Sequence, residues 1–152
     1  MSAQDEIREL FKNWWAASAR MDIEASMAPI ATDIVSYEHN TPLRYRGVGA
    51  VRAVCQTGFD LMETIDGDFT WTVDDLQIEV SGDLAAAWGI NRMVVRKGGA
   101  TTYASSSRGS WIFRRRDGAW TLIHQHQSYP FDPATGHAVF DSEVEAGALT
   151  GN

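Results

Sequence analysis

From Phe69 to Tyr129 the chain holds four runs of strand-forming residues, Phe69–Val80, Leu84–Lys97, Ala100–Arg116 and Ala119–Tyr129, parted only by SGD, KGG and RDG. Connections this short force consecutive strands to pair antiparallel, because a parallel return needs a dozen or more residues. The second half of the chain is therefore a four-stranded meander. Each run is about twice the usual ~5–6 residues of a strand, or longer, so the sheet has to curl as it twists.

The first half follows a different period. Ile7, Leu10, Phe11, Trp14, Trp15 and Met21 repeat at i, i+3, i+4, which predicts an amphipathic helix over residues 2–21, with Ser2 and Asp5 at the spacing of a capping box. Asp22 caps a short second helix that runs through Met27 and stops near Pro29. DIVSYEH then alternates, with Val35, Tyr37 and His39 on one face and Ile34, Ser36 and Glu38 on the other. NTP turns the chain at residues 40–42, and Leu43–Arg46 returns as a short strand. A third helix opens at Gly47 with Val48, Val51, Cys55, Phe59 and Met62 as its apolar stripe. Residues 131–152 read as a surface strap and tail of one domain spanning 1–152. Helices at the front and strands at the back make the class α+β: a cone-shaped α+β barrel, three N-terminal helices on a strongly curved, mostly antiparallel sheet that encloses a pocket.

With 20 acidic against 13 basic residues the net charge is −7, which excludes a sequence-blind nucleic-acid binder and disfavours an anionic membrane surface. Arg114-Arg115-Arg116 is the one basic cluster, and beside a turn it reads as a solvated hairpin end. Cys55 is the only cysteine, so no intrachain disulfide forms, and its apolar neighbours make it a buried hydrophobe rather than a nucleophile. No basic-then-apolar leader and no apolar run near ~20 residues is visible, so the expected location is cytoplasmic.

Three stretches resemble the nuclear transport factor 2-like superfamily, in its SnoaL-like or ketosteroid-isomerase-like branch: YEHNTPLRYRGVGAVRA (Tyr37–Ala53), WGINRMVVRKGG (Trp88–Gly99) and RGSWIFRRRDGAWTLIHQHQSYPFDPATG (Arg108–Gly136). The last also resembles the association domain of calcium/calmodulin-dependent protein kinase. The resemblance implies a cone whose cavity takes small apolar or amphipathic molecules, and a homodimer through the outer face of the sheet. Isomerases of that branch use an Asp base with a Tyr and a protonated Asp, and no Asp or Glu here is assigned to that trio by motif.

The last strand splits into Leu122, His124, His126 and Ser128 on one face and Ile123, Gln125, Gln127 and Tyr129 on the other. A three-residue loop at Arg116-Asp117-Gly118 sets Trp111 beside Gln125, whereas a two-residue Asp117-Gly118 turn sets it opposite His124. We take the glutamines as inward. Trp111, Phe113, Gln125 and Gln127 then line the cavity, joined by Trp88 and Arg92 from the neighbouring strand and by Tyr103. Arg92 alternates with apolar residues, a costly place for a guanidinium unless it meets a ligand anion or an ion pair with Glu38, Asp74 or Asp75. Tyr37 and His39 sit near the cavity mouth. His39 is the candidate acid or base, because imidazole titrates near neutrality. His124 and His126 face the dimer interface. As a metal pair they lack a third ligand, so no metal and no cofactor is expected.

The expected function is acid–base catalysis without a cofactor, of the isomerase, cyclase or hydrolase type, on a small apolar or cyclic metabolite. His39 would move the proton, and Tyr37, Arg92 and Gln125 would hold oxyanion charge. The alternative is a ligand-binding or assembly module of the same fold, its cone filled by its own aromatic side chains.

Overall fold

The computed structural model describes residues 1–142, so the last ten residues of the expected tail lie outside the described part. The elements run α1 (Ala3–Ala19), α2 (Ile23–Met27), β1 (Ile30–Tyr37), β2 (Tyr45–Arg46), α3 (Val48–Glu63), β3 (Asp68–Ser81), β4 (Leu84–Lys97), β5 (Ala100–Arg116) and β6 (Ala119–Ser128). Both caps expected on α1 and α2 form. Ser2 Oγ accepts from the Asp5 amide at 3.1 Å while Asp5 Oδ2 accepts from the Ser2 amide at 3.0 Å, and Asp22 Oδ1 accepts from the Ala25 amide at 3.1 Å.

The strands make one sheet in the order β2-β1-β6-β5-β4-β3. Every neighbour pair is antiparallel except β1 with β6, which run parallel because β1 is reached from β6 only across the rest of the chain. The sheet is open, with β2 and β3 as its edges, so the cone is a curled sheet closed by helices and not a barrel. The class is α+β, as the segregation of helices and strands requires.

Aromatic side chains seat α1 on the inner face. Phe11 meets Trp111 edge-on at 5.2 Å and Phe113 at 5.7 Å, and Trp14 meets Trp71 at 5.1 Å. Such edge-to-face pairs add to the burial of large rings. At the hairpin end, Glu6 Oε2 accepts from Arg115 Nη2 at 2.5 Å and from Trp120 Nε1 at 2.9 Å. Arg116 makes a two-pronged contact with Asp33 at 2.9 and 3.3 Å. Two of the three consecutive arginines are thus ion-paired rather than merely solvated.

The β5–β6 turn is the two-residue one: Asp117 and Gly118 both have positive φ, 50° and 81°, as a type I′ turn requires. That turn alone would set Trp111 opposite His124. It does not, because β6 carries a bulge. Leu122 pairs with Phe113 and His124 with Ile112, so Ile123 is the extra residue and Trp111 lands opposite Gln125. The expected loop is corrected, yet the glutamine face still turns inward.

Two glycines are required by close approach. A Cβ on Gly109 would lie 2.3 Å from Trp111 Cη2 and 2.8 Å from Asn91 Nδ2; one on Gly89 would lie 2.5 Å from Val73 Cγ1, at the bulge where Asp75 takes φ 53°. Gly109→Ala is therefore expected to destabilise the fold by about 1–3 kcal/mol in urea denaturation, the usual cost of overpacking. Gly58→Ala on α3, where nothing among the described residues lies within 4 Å, is expected to be neutral or stabilising.

Candidate functional site

A cavity of about 300 Å³ lies between α1, α3 and the inner face of the sheet. Its walls are apolar: Trp14, Met27 and Ile30 from the front of the chain, Val51, Val54, Cys55, Phe59 and Met62 from α3, and Phe69, Trp71 and Met93 from the sheet. Its polar groups are Ser18 on α1 and, gathered at the other side, Glu38, His39, Asn40, Tyr103, Gln125, Gln127 and Tyr129, joined by Phe140.

Regular alternation would point Glu38 and His39 to opposite sides. Both reach the cavity because β1 ends at Tyr37 and the chain turns out of the strand there. Glu38 continues the inner face of Ile34 and Ser36. Its Oε1 accepts from Gln125 Nε2 at 2.7 Å and from Ser36 Oγ, a fully buried hydroxyl. Both donors reach the same carboxylate oxygen.

His39 stacks on Tyr129, ring centroids 4.6 Å apart and planes 28° from parallel. Its Nε2 lies 3.5 Å from Ser107 Oγ. Burial pulls the imidazole below its ordinary pKa, while the Glu38 charge and a hydrogen bond with Gln127 oppose that shift. Burial likewise pushes the Tyr129 phenol up, with a hydrogen bond from Ser105 in opposition, so Tyr129 is a neutral donor. Beneath them Asn91, 1 % exposed, ties three strands together. Its Oδ1 accepts from Trp71 Nε1 at 2.9 Å, and its Nδ2 donates to Ser107 Oγ at 3.2 Å and Gln127 Oε1 at 3.3 Å. A buried amide satisfied on both ends fixes Gln127 from behind.

The strap crosses this end. Val139 donates its amide to Pro130 O at 2.8 Å, Ser106 donates to Phe140 O at 2.7 Å, and the Phe140 ring meets Tyr129 edge-on at 4.8 Å. It thus continues the pairing of β5 beyond the end of β6.

The structure places His39, Tyr103, Gln125 and Gln127 at the cavity. It places five other candidates elsewhere. Tyr37 is on the outer face, between the rings of His124 at 4.9 Å and His126 at 5.7 Å. Trp88 is on the outer face and 44 % exposed. Arg92 is on the outer face too, with Nε 3.3 Å from Asp74 Oδ2 and Nη1 donating to Ser106 Oγ at 2.7 Å, so its carboxylate partner is the Asp74 of the expected ion pair and not a ligand. Trp111 and Phe113 are fully buried in solid core against Phe11 and do not border the cavity. The inner face of β4 is instead Ala85, Ala87, Asn91, Met93 and Val95. Glu38 and Asn91 are the residues that sequence reasoning passed over. The signal for Glu38 was its place after Ile34 and Ser36 on the apolar face of β1.

Comparison with known proteins agrees with this architecture. The SnoaL-like domain family matches residues 7–132, and the chain belongs to that family. An NTF2-like protein of unknown function from Pseudomonas putida KT2440 superposes with a TM-score of 0.79 at 32% identity, over 94% of this chain and 99% of that one. An NTF2-like protein with a cystatin-like fold from Novosphingobium aromaticivorans gives 0.70 at 22% identity, over 98% and 89%. A candidate dehydratase of the NTF2-like family from Streptomyces avermitilis gives 0.67 at 16% identity, over 82% and 94%. Among curated proteins no sequence matches the chain. Among the described residues no helix is long and apolar enough to cross a membrane.

Two titrations follow from the burial. A histidine whose folded pKa is depressed binds fewer protons in the native than in the unfolded chain between the two values, so its contribution to stability is lost as pH falls below about 6.5. NMR titration is expected to place the His39 midpoint below 6.5, and His39→Gln is expected to flatten the loss of stability between pH 7 and pH 5. Burial pushes the Cys55 thiol up to about 12. Cys55 is therefore expected to react with a disulfide reagent at pH 8 only after unfolding, and a fast native reaction would contradict this burial.

Proposed function

We propose that the chain is a cofactor-independent acid–base enzyme acting on a small, largely apolar ring-bearing molecule, with Glu38 as the proton-accepting base. The observation that carries this reading is a carboxylate, gripped on one oxygen by Ser36 and Gln125, at the polar end of an otherwise apolar cavity. A volume of about 300 Å³ is at the small end of ligand pockets, and an open cavity speaks against a cone filled solid for assembly. His39, proposed from sequence as the base, fits the neutral partner role better: its lowered pKa leaves an uncharged imidazole, stacked and held beside Glu38. Glu38 Oε2 takes a proton from the carbon next to a carbonyl. The electron pair moves onto the carbonyl oxygen, where the neutral donors Tyr129, Tyr103 or His39 hold the charge, and the proton returns at the same or a conjugated carbon. Tyr37 and Arg92 have no part in this step, being outside the cavity.

The test is solvent deuterium exchange at the α-carbon of a bicyclic ketone such as 2-tetralone, followed by NMR. Wild type is expected to exceed buffer, Glu38→Gln to lose at least about a hundredfold, in the range of a missing general base, and His39→Gln to lose less. Exchange no faster than buffer, or undisturbed by Glu38→Gln, rejects the assignment.

The outer face supports a homodimer. Leu84, Trp88 and Tyr37 are 43%, 44% and 39% exposed there, beside the half-buried Ile90, Val94 and His124 and the exposed His126. Such a patch on a sheet is an interface in search of a partner. Sedimentation is expected to give a dimer that Trp88→Arg dissociates; a wild-type monomer at micromolar concentration would reject it.

A further inference from the structure

The polar end of the cavity has a charge pattern that selects among ligands. No Lys or Arg lines it among the described residues, and Glu38 is its one formal charge. The arginine that seemed placed for an anion spends its guanidinium on Asp74 and Ser106, on the other side of the sheet. Gln125 adds a second feature. It is 4 % exposed, and its amide orientation is fixed, because Nε2 is the atom facing Glu38 Oε1 at 2.7 Å and the reverse orientation would set oxygen against oxygen. Among the described residues its own Oε1 is then buried with no hydrogen-bond partner, and the side chain itself lines the cavity beside Glu38. A buried carbonyl oxygen without a donor costs free energy that a ligand O–H would recover. A ligand carboxylate or phosphate in the same place would meet Glu38 across apolar walls, with no cation to offset the repulsion.

We infer that the site takes an uncharged ring-bearing alcohol or enol, its hydroxyl donating to Gln125 Oε1 beside Glu38, and that it rejects organic anions. This rests on reading the cavity as a ligand site, and it names the ligand class. It also makes Gln125 a specificity residue: one amide orients the carboxylate with its nitrogen and reads the ligand's hydroxyl with its oxygen.

Four probes of one skeleton separate the possibilities by calorimetric titration at pH 7: 2-naphthol, naphthalene, 2-naphthoate and 2-naphthylmethylammonium. The expected order places 2-naphthol about tenfold tighter than naphthalene, the value of one neutral hydrogen bond, and 2-naphthoate weakest. In Gln125→Met, which keeps the bulk and removes the oxygen, 2-naphthol is expected to fall to the affinity of naphthalene while naphthalene itself is unchanged, which shows the cavity still formed. Naphthoate binding as tightly as 2-naphthol, ammonium binding tightest, or a hydroxyl preference that survives Gln125→Met each overturns the inference and leaves the deuterium-exchange test of Glu38 standing. Binding of none of the four overturns both, because the cavity is then no site for such ligands.

Discussion

The register of β6 against β5 decides what the inside of this molecule is made of. A tight two-residue turn fixes one phase of pairing, and a single extra residue, Ile123, reverses that phase halfway along the strand. Before the bulge Trp120 and Leu122 point to the core; after it Gln125 and Gln127 do. Without the bulge His124 and His126 would face Glu38, and the glutamines would face outward with Tyr37. Because strand side chains alternate with period two, one residue exchanges the whole chemical character of the site. The carboxylate grip of Gln125, the tie of Gln127 to Asn91 and the contact of His39 with Gln127 all depend on it.

Keeping polar groups in an apolar cavity requires that each be held. Asn91 does this for the deep wall: its amide is saturated by Trp71, Ser107 and Gln127. Ser36 does it for Glu38 from below. The side chains that face the ligand space are thus fixed by others that do not, which is the arrangement that preorganises donors and acceptors before anything binds. Gln125 Oε1 departs from this pattern: among the described residues it is buried without a hydrogen-bond partner, as Trp111 Nε1 is in the solid core.

The elements were legible because their signals are local. Turn residues, capping boxes and the helical period act within a few positions, and they give helices and strands at nearly the right bounds. The faces of β4 were not legible. Its outer row, Trp88, Ile90 and Val94, is as apolar as a core row, whereas its inner row contains Ala85, Ala87, Gly89 and Asn91. Hydrophobic alternation cannot orient a strand whose two faces are both apolar. Arg92 looked costly for the same reason, and Asp74 across the β3–β4 pair removes the cost. Glu38 was hidden by its neighbour: His39 has the pKa that draws attention, while the carboxylate is held by Gln125, 87 positions away in sequence.

The cavity itself is a consequence of uneven filling. At one end α1 drives Phe11 between Trp111 and Phe113, and Gly109 gives the Trp111 ring the room to lie flat on β5, so that end is solid. At the other end α3 borders the open volume with Val51, Val54, Cys55 and Gly58, beside the larger Phe59 and Met62. Interiors pack to near-crystalline density wherever side chains can reach, so an open volume persists only where the opposing surfaces are held apart by something rigid. Here the aromatic wedge at the solid end and the long twisted hairpins hold them apart. The rings wedged together at one end leave it solid, and the polar groups of β1 and β6 stand at the open end.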